Sequence, residues 1–121
     1  MLLRRIPINI PDSCTAKSTA TFTRKTNLQN YGKLLRVKCV SVCNQENNNT
    51  EVNVGYMRSG MAYYFDTLVL SKHSYFYMSL PDILIPSNYQ IVLKFFDHAE
   101  GDRYLINITM EEEVYSEESN G

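Results

Sequence analysis

Apolar and polar side chains alternate with a period of two through most of this 121-residue chain, and no stretch of ten or more residues places apolar positions at i, i+3, i+4 and i+7. Successive side chains of a strand point to opposite faces, so this pattern calls for strands and leaves no amphipathic helix to build with. Ile6, Ile8 and Ile10 alternate with Arg5, Pro7 and Asn9. Val52, Val54 and Tyr56 alternate with Glu51, Asn53 and Gly55, and Tyr104, Ile106, Ile108 and Met110 with Leu105, Asn107, Thr109 and Glu111. Each is a half-buried strand pattern. Residues 33–43, 61–71, 73–80 and 89–97 are apolar on both faces, as central strands are, or strands covered by a partner.

Turn chemistry separates these runs: the Asn-rich segment 44–50, Arg58-Ser59-Gly60, Pro86-Ser87-Asn88 and the acidic loop 97–102. With 44% hydrophobic residues the chain has material for one core. The expectation is an all-β, antiparallel two-sheet β-sandwich of jelly-roll or immunoglobulin-like topology, one domain over residues 1–110 followed by an acidic tail over 111–121.

A charged fraction of 21% and a net charge of −1 exclude a uniformly basic chain, so nucleic acid is not an expected partner. No apolar run approaches the length of a membrane-spanning helix. The N-terminus lacks the apolar h-region of a secretory signal, and the expectation is synthesis in the cytoplasm of the producing cell. Cys14, Cys39 and Cys43 form an odd set, and two strand residues four apart stand about 13 Å apart, beyond disulfide reach. Free thiols are expected.

Charge is strongly partitioned along the chain. Residues 1–38 hold eight bases and one acid, a charge of +7; residues 39–121 hold four bases and twelve acids, −8. Either the basic and acidic ends pair within the domain, or basic residues Arg24, Lys25, Lys33 and Arg36 meet acidic surface on a neighbouring subunit.

No catalytic constellation stands out. The histidines, His73 and His98, accompany no nucleophile motif, and the chain is expected to be non-enzymatic. The loop Asp97-His98-Ala99-Glu100-Gly101-Asp102 lacks the order of a calcium loop and reads as a hairpin connection with Gly101 at positive φ and Asp102 bracing the turn. No metal site or cofactor is expected. The glycosylation triplets Asn48-Asn49-Thr50 and Asn107-Ile108-Thr109 matter only in a secreted eukaryotic protein. Among nine tyrosines, Tyr63, Tyr64, Tyr75 and Tyr77 are candidates for a protein interface, where tyrosine is enriched.

The stretch 33–110 resembles small β-sandwich virion proteins of bacteriophages. The resemblance is carried by Val37-Lys38-Cys39-Val40-Ser41-Val42-Cys43-Asn44 and Val52-Asn53-Val54-Gly55-Tyr56-Met57-Arg58-Ser59-Gly60, a strand, a polar loop and a strand ending in a Gly turn. Pro81-Asp82-Ile83-Leu84-Ile85-Pro86, followed by Gly101-Asp102-Arg103-Tyr104-Leu105-Ile106, is similar to their closing pair. The resemblance implies a non-enzymatic, capsid- or tail-associated structural subunit, located in the virion, homo-oligomeric and partnered by other virion subunits. Ile85-Pro86-Ser87-Asn88-Tyr89-Gln90-Ile91 also resembles a strand entrance in lipid-binding sandwiches of the MD-2-related type. The alternative expectation is therefore a lipid- or carbohydrate-binding module.

Overall fold

A computed structural model describes residues 1–29, 31–45, 49–71 and 75–116, with Tyr75 described in its backbone alone. Among the described residues nine strands follow one another: β1 (Leu2–Thr15), β2 (Phe22–Asn27), β3 (Leu34–Asn44), β4 (Thr50–Arg58), β5 (Met61–Leu70), β6 (Tyr75–Ser79), β7 (Ile83–Pro86), β8 (Gln90–Phe96) and β9 (Arg103–Tyr115). No helix occurs among the described residues. One sheet has the order β1-β9-β3-β6, with β7 also on β3, and the other β2-β8-β4-β5. Every pairing is antiparallel. Strand β6 pairs with residues 40–44 of β3 and β7 with residues 34–37, so the two share one edge position.

An immunoglobulin order would keep the first two strands in one sheet. Here β1 and β2 lie in different sheets, and counting β6 and β7 as one broken strand leaves the eight-stranded, two-sheet winding of a jelly roll.

The inner faces meet in a core of Val40, Val42, Ile106, Ile108 and Met110 from one sheet and Val52, Val54, Ile91, Leu93 and Phe95 from the other. On β3, Leu35 and Val37 are buried and so are Val40 and Val42, a sequence that strict alternation forbids. A bulge supplies the missing step: Val37 pairs with Met110 and Cys39 with Thr109, leaving Lys38 as the extra residue. A second bulge on β5 leaves Phe65 unopposed between Asp66, paired with Val54, and Tyr64, paired with Gly55. Gly55 is required there, because a Cβ would collide with the backbone of Tyr63 and Tyr64.

Two turns take the form their residues dictate. Ser59 and Gly60 have φ of 51° and 78°, the two positive values of a type I′ hairpin loop. Gly101 has φ of 88°, and the Asp102 carboxylate accepts the Ala99 N–H at 2.8 Å. The domain boundary differs from the sequence expectation. Strand β9 continues past Met110 to Tyr115, so Glu111, Glu112 and Glu113 belong to the sheet, paired with Pro7, Ile6 and Arg5. Residues 117–121 lie outside the described residues.

Candidate protein interface

Because basic β1 lies against acidic β9, much of the charge partition is resolved inside the domain. On the outer face of the five-stranded sheet, Arg36 bridges to Glu113 at 3.1 Å and approaches Asp82 at 3.8 Å, while Lys38 bonds Asp82 at 2.8 Å. Arg5 lies 3.6 Å from Glu111 and 3.8 Å from Glu113, whose side chain is buried. Hydrogen bonds from Arg36 hold the Glu113 carboxyl below its usual range, and those from Lys38 do the same for Asp82. At the flank where β1 and β2 face each other, Arg24 makes two bonds of 2.7 Å to Asp12 and lowers its pKa. Arg24 and Arg36, two of the four bases assigned to a neighbouring subunit, are thus engaged within the chain. Lys25 is exposed on β2, and exposed Lys33 lines a cleft of about 610 Å³ beside residues 112–116.

The four candidate tyrosines do not form one patch. Tyr77 lies opposite Val42, packs against the core, and its hydroxyl accepts the Ser71 N–H at 3.1 Å. The side chain of Tyr75 lies outside the described residues, as do His73 and Asn48. Tyr63 and Tyr64 stand exposed on opposite faces of edge strand β5. Tyr63 stacks on Tyr56 with ring centroids 5.4 Å apart, Tyr56 packs on Tyr89 at 5.5 Å, and the Arg58 guanidinium lies 5.7 Å above the Tyr89 ring.

What the sequence did not reveal is which doubly apolar segments are central. Strands β3 and β8 are, but 61–71 and 73–80 supply β5 and β6, the edges of the two sheets on one flank. Bare apolar side chains on these strands are divided among faces: Val69, 64% exposed, lies opposite Glu51 on the outer face of the four-stranded sheet, Met61 shares the face of Tyr56 and Tyr63, and Phe76, 56% exposed, and Met78, 60%, lie opposite Cys43 and Ser41 on the outer face of the five-stranded sheet, with Leu80 just beyond. An apolar residue on the solvent face of an edge strand contributes nothing to its own core. Phe76 and Met78, two residues apart on one face of β6, are such a pair.

No protein-family model matches the chain, and no curated protein matches it in sequence. Similar folds occur among solved structures. A protein from Bacillus endospore appendages, described as a novel family of disulfide-linked pili, is 9% identical, with 92% of this chain and 89% of that chain covered and a TM-score of 0.55. The Yersinia pseudotuberculosis-derived mitogen is 13% identical over 94% of this chain and 93% of that chain, with a TM-score of 0.51. At such identities the likeness is one of fold: a two-sheet β-sandwich.

The opposite flank holds a cleft of about 560 Å³, lined by Ser13, Thr15, Ser18, Thr21 and Lys17 among others. Its one aromatic side chain, Phe22, is stacked on Phe95 at 4.8 Å and meets the edge of His98 at 4.8 Å, so it offers no open platform for a sugar. Cys14 in the same cleft is half-buried, and burial raises its pKa to about 11, which keeps it a neutral thiol. Cys14, Cys39 and Cys43 are all free, and burial raises the latter two as well. His98 is buried with neither ring nitrogen hydrogen-bonded.

Proposed function

We propose that this chain is a non-enzymatic structural subunit that is built into a phage or virus particle, capsid-associated or tail-associated, and acts through repeated protein contacts. The observation that carries the reading is the bare apolar face of edge strand β6, where Phe76 and Met78 stand 56% and 60% exposed. A partner that covers it accounts for side chains that the core does not use. The same sandwich in a pilus protein supports an assembly role for such a fold. A lipid module would need an apolar cavity, whereas the cleft beside β1 and β2 mixes Phe22, Ala20 and Cys14 with hydroxyls, Lys17 and Arg24.

The test is to purify particles from the producing cells by density gradient and quantify the chain against the major coat protein. A fixed copy number per particle is expected. A chain absent from particles, monomeric at high concentration and thermally stabilised by an oligosaccharide or phospholipid would replace this reading with the ligand-binding one.

A further inference from the structure

The backbone of each sheet edge can be read from its register. The type I′ loop makes Arg58 and Met61 a hydrogen-bonded pair, and bonded pairs then alternate along the ladder. Met61, Tyr63, Asp66, Leu68 and Leu70 therefore bond to β4, while Ala62, Tyr64, Thr67 and Val69 turn their N–H and C=O groups to the open edge of β5. The Thr67 N–H confirms this by bonding the Asp66 carboxylate at 2.8 Å, outside the ladder. Carried across β4 and β8, the same alternation leaves Thr23, Lys25 and Asn27 facing the open edge of β2. Strand β1 differs. Pro7 and Pro11 cannot donate to β9, so their positions face outward, as does Ser13, whose N–H is taken by Asp12 at 2.8 Å. The outer edge of β1 is thus blocked at Pro7, Pro11 and Ser13, whereas β5, capped at Thr67, still offers Ala62, Tyr64 and Val69, and β2 offers Thr23, Lys25 and Asn27.

Four antiparallel strands place β2 and β5 in opposite directions. A copy added by translation along the sheet therefore presents its β2 antiparallel to β5 of the copy before. The faces match as well: the edge-facing residues of both strands, Thr23, Lys25 and Asn27 on β2 and Ala62, Tyr64, Thr67 and Val69 on β5, share the outer side of the sheet, so the inner face of one copy continues into that of the next.

We propose that copies of this chain join head to tail, strand β5 of one copy pairing with strand β2 of the next, so that the four-stranded sheet runs on through an open-ended filament. The inference rests on the structural-subunit reading and names its partner, a second copy of the chain. The contact is heterologous, so it propagates rather than closing as a dimer. In the same step, β6 with Phe76 and Met78 comes alongside β1 of the next copy, whose prolines offer apolar contact without a ladder. Four strands per copy at the usual spacing give a rise of about 19 Å per subunit.

Val69→Pro and Lys25→Pro each remove an outward N–H without breaking a ladder bond. On the full chain, light scattering and electron microscopy should show filaments for the parent and only monomer for either variant alone. Mixed in equal amounts, the two variants should form a species of twice the 14.0 kDa chain mass, each supplying the edge the other lacks. If both variants assemble like the parent, the edge pairing is wrong while the structural reading stands. If the parent stays monomeric at every concentration and its particles lack it, that reading falls as well. Should the prolines prevent folding, amide hydrogen exchange on the unmodified chain decides. The N–H groups of Thr23, Lys25, Ala62, Tyr64 and Val69 should gain protection on assembly. Unchanged exchange at these five positions in the assembled state would overturn the proposal.

Discussion

The two flanks of the sandwich treat their strand edges differently. Beside β1 and β2, one edge is stopped by Pro7 and Pro11, and the Arg24–Asp12 bridge ties one sheet to the other. Beside β5 and β6 there is no proline in either strand, and Val69, Phe76 and Met78 stand exposed on the outer faces of their sheets. A sheet edge invites pairing unless something prevents it. The prolines guard β1 alone, and β2, β5 and β6 carry none.

The contrast breaks most severely at Gly55. Gly55→Val should force the backbone of Tyr63 and Tyr64 away from β4 and detach half of β5, a loss of about 3 kcal/mol in urea denaturation. A variant as stable as its parent would show that β5 does not need this close approach. At the other flank, Asp12→Ala should remove a partly exposed bridge, a loss of about 0.5–1 kcal/mol.

The acid limb of stability tests the same bridges in the unmodified chain. Asp12, Asp82 and Glu113 have folded-state pKa values below their ordinary 3.8, 3.8 and 4.5, so their contribution is present above those values and is lost as pH falls through the depressed ones. Thermal midpoints should be level from pH 6 to 8, within about a degree, and should fall once the pH drops below about 4.5, less steeply in Asp12→Ala. Equal acid sensitivity in both proteins would remove Arg24–Asp12 from the account.

Smaller effects on folding separate the flanks further. Phe76→Ser with Met78→Ser should change the unfolding free energy by less than about 0.5 kcal/mol, because both side chains are mostly exposed, and yet should weaken assembly. A large drop in stability would place them in the core. Pro7→Ala with Pro11→Ala should alter stability by only a few tenths of a kcal/mol. It should nevertheless yield disordered aggregates in place of regular assemblies, since it returns two donors to a long edge, and unchanged solution behaviour would show that the prolines do not guard it.

The strands and their turns were legible because they depend on neighbours in sequence. Alternation located β1, β4 and β9, and Ser59-Gly60 announced its hairpin. The charge partition was legible as a choice, and the β1–β9 register decides it for Arg5 against Glu113. The centre and edge of a sheet were not legible, since Leu93 on β8 and Val69 on β5 look alike in sequence and differ only in what lies beyond them. Nor were the bulges at Lys38 and Phe65, which shift the inward face by one residue partway along a strand. The orientation of Tyr77 was not legible for a related reason: its place opposite Val42, rather than its own chemistry, packs it against the core.

The pairing of β1 with β9 also fixes the order of events during synthesis. Strand β1 emerges before the rest of the sandwich, but its neighbour in the sheet among the described residues runs from Arg103 to Tyr115. Through the intervening elongation β1 is an unpaired fourteen-residue strand with isoleucines along one face, the kind of segment that finds wrong partners. Contacts so distant in sequence form late and slowly. Pro7 and Pro11 therefore serve first in the nascent chain, where they leave one side of β1 unable to template a ladder until β9 arrives on the other.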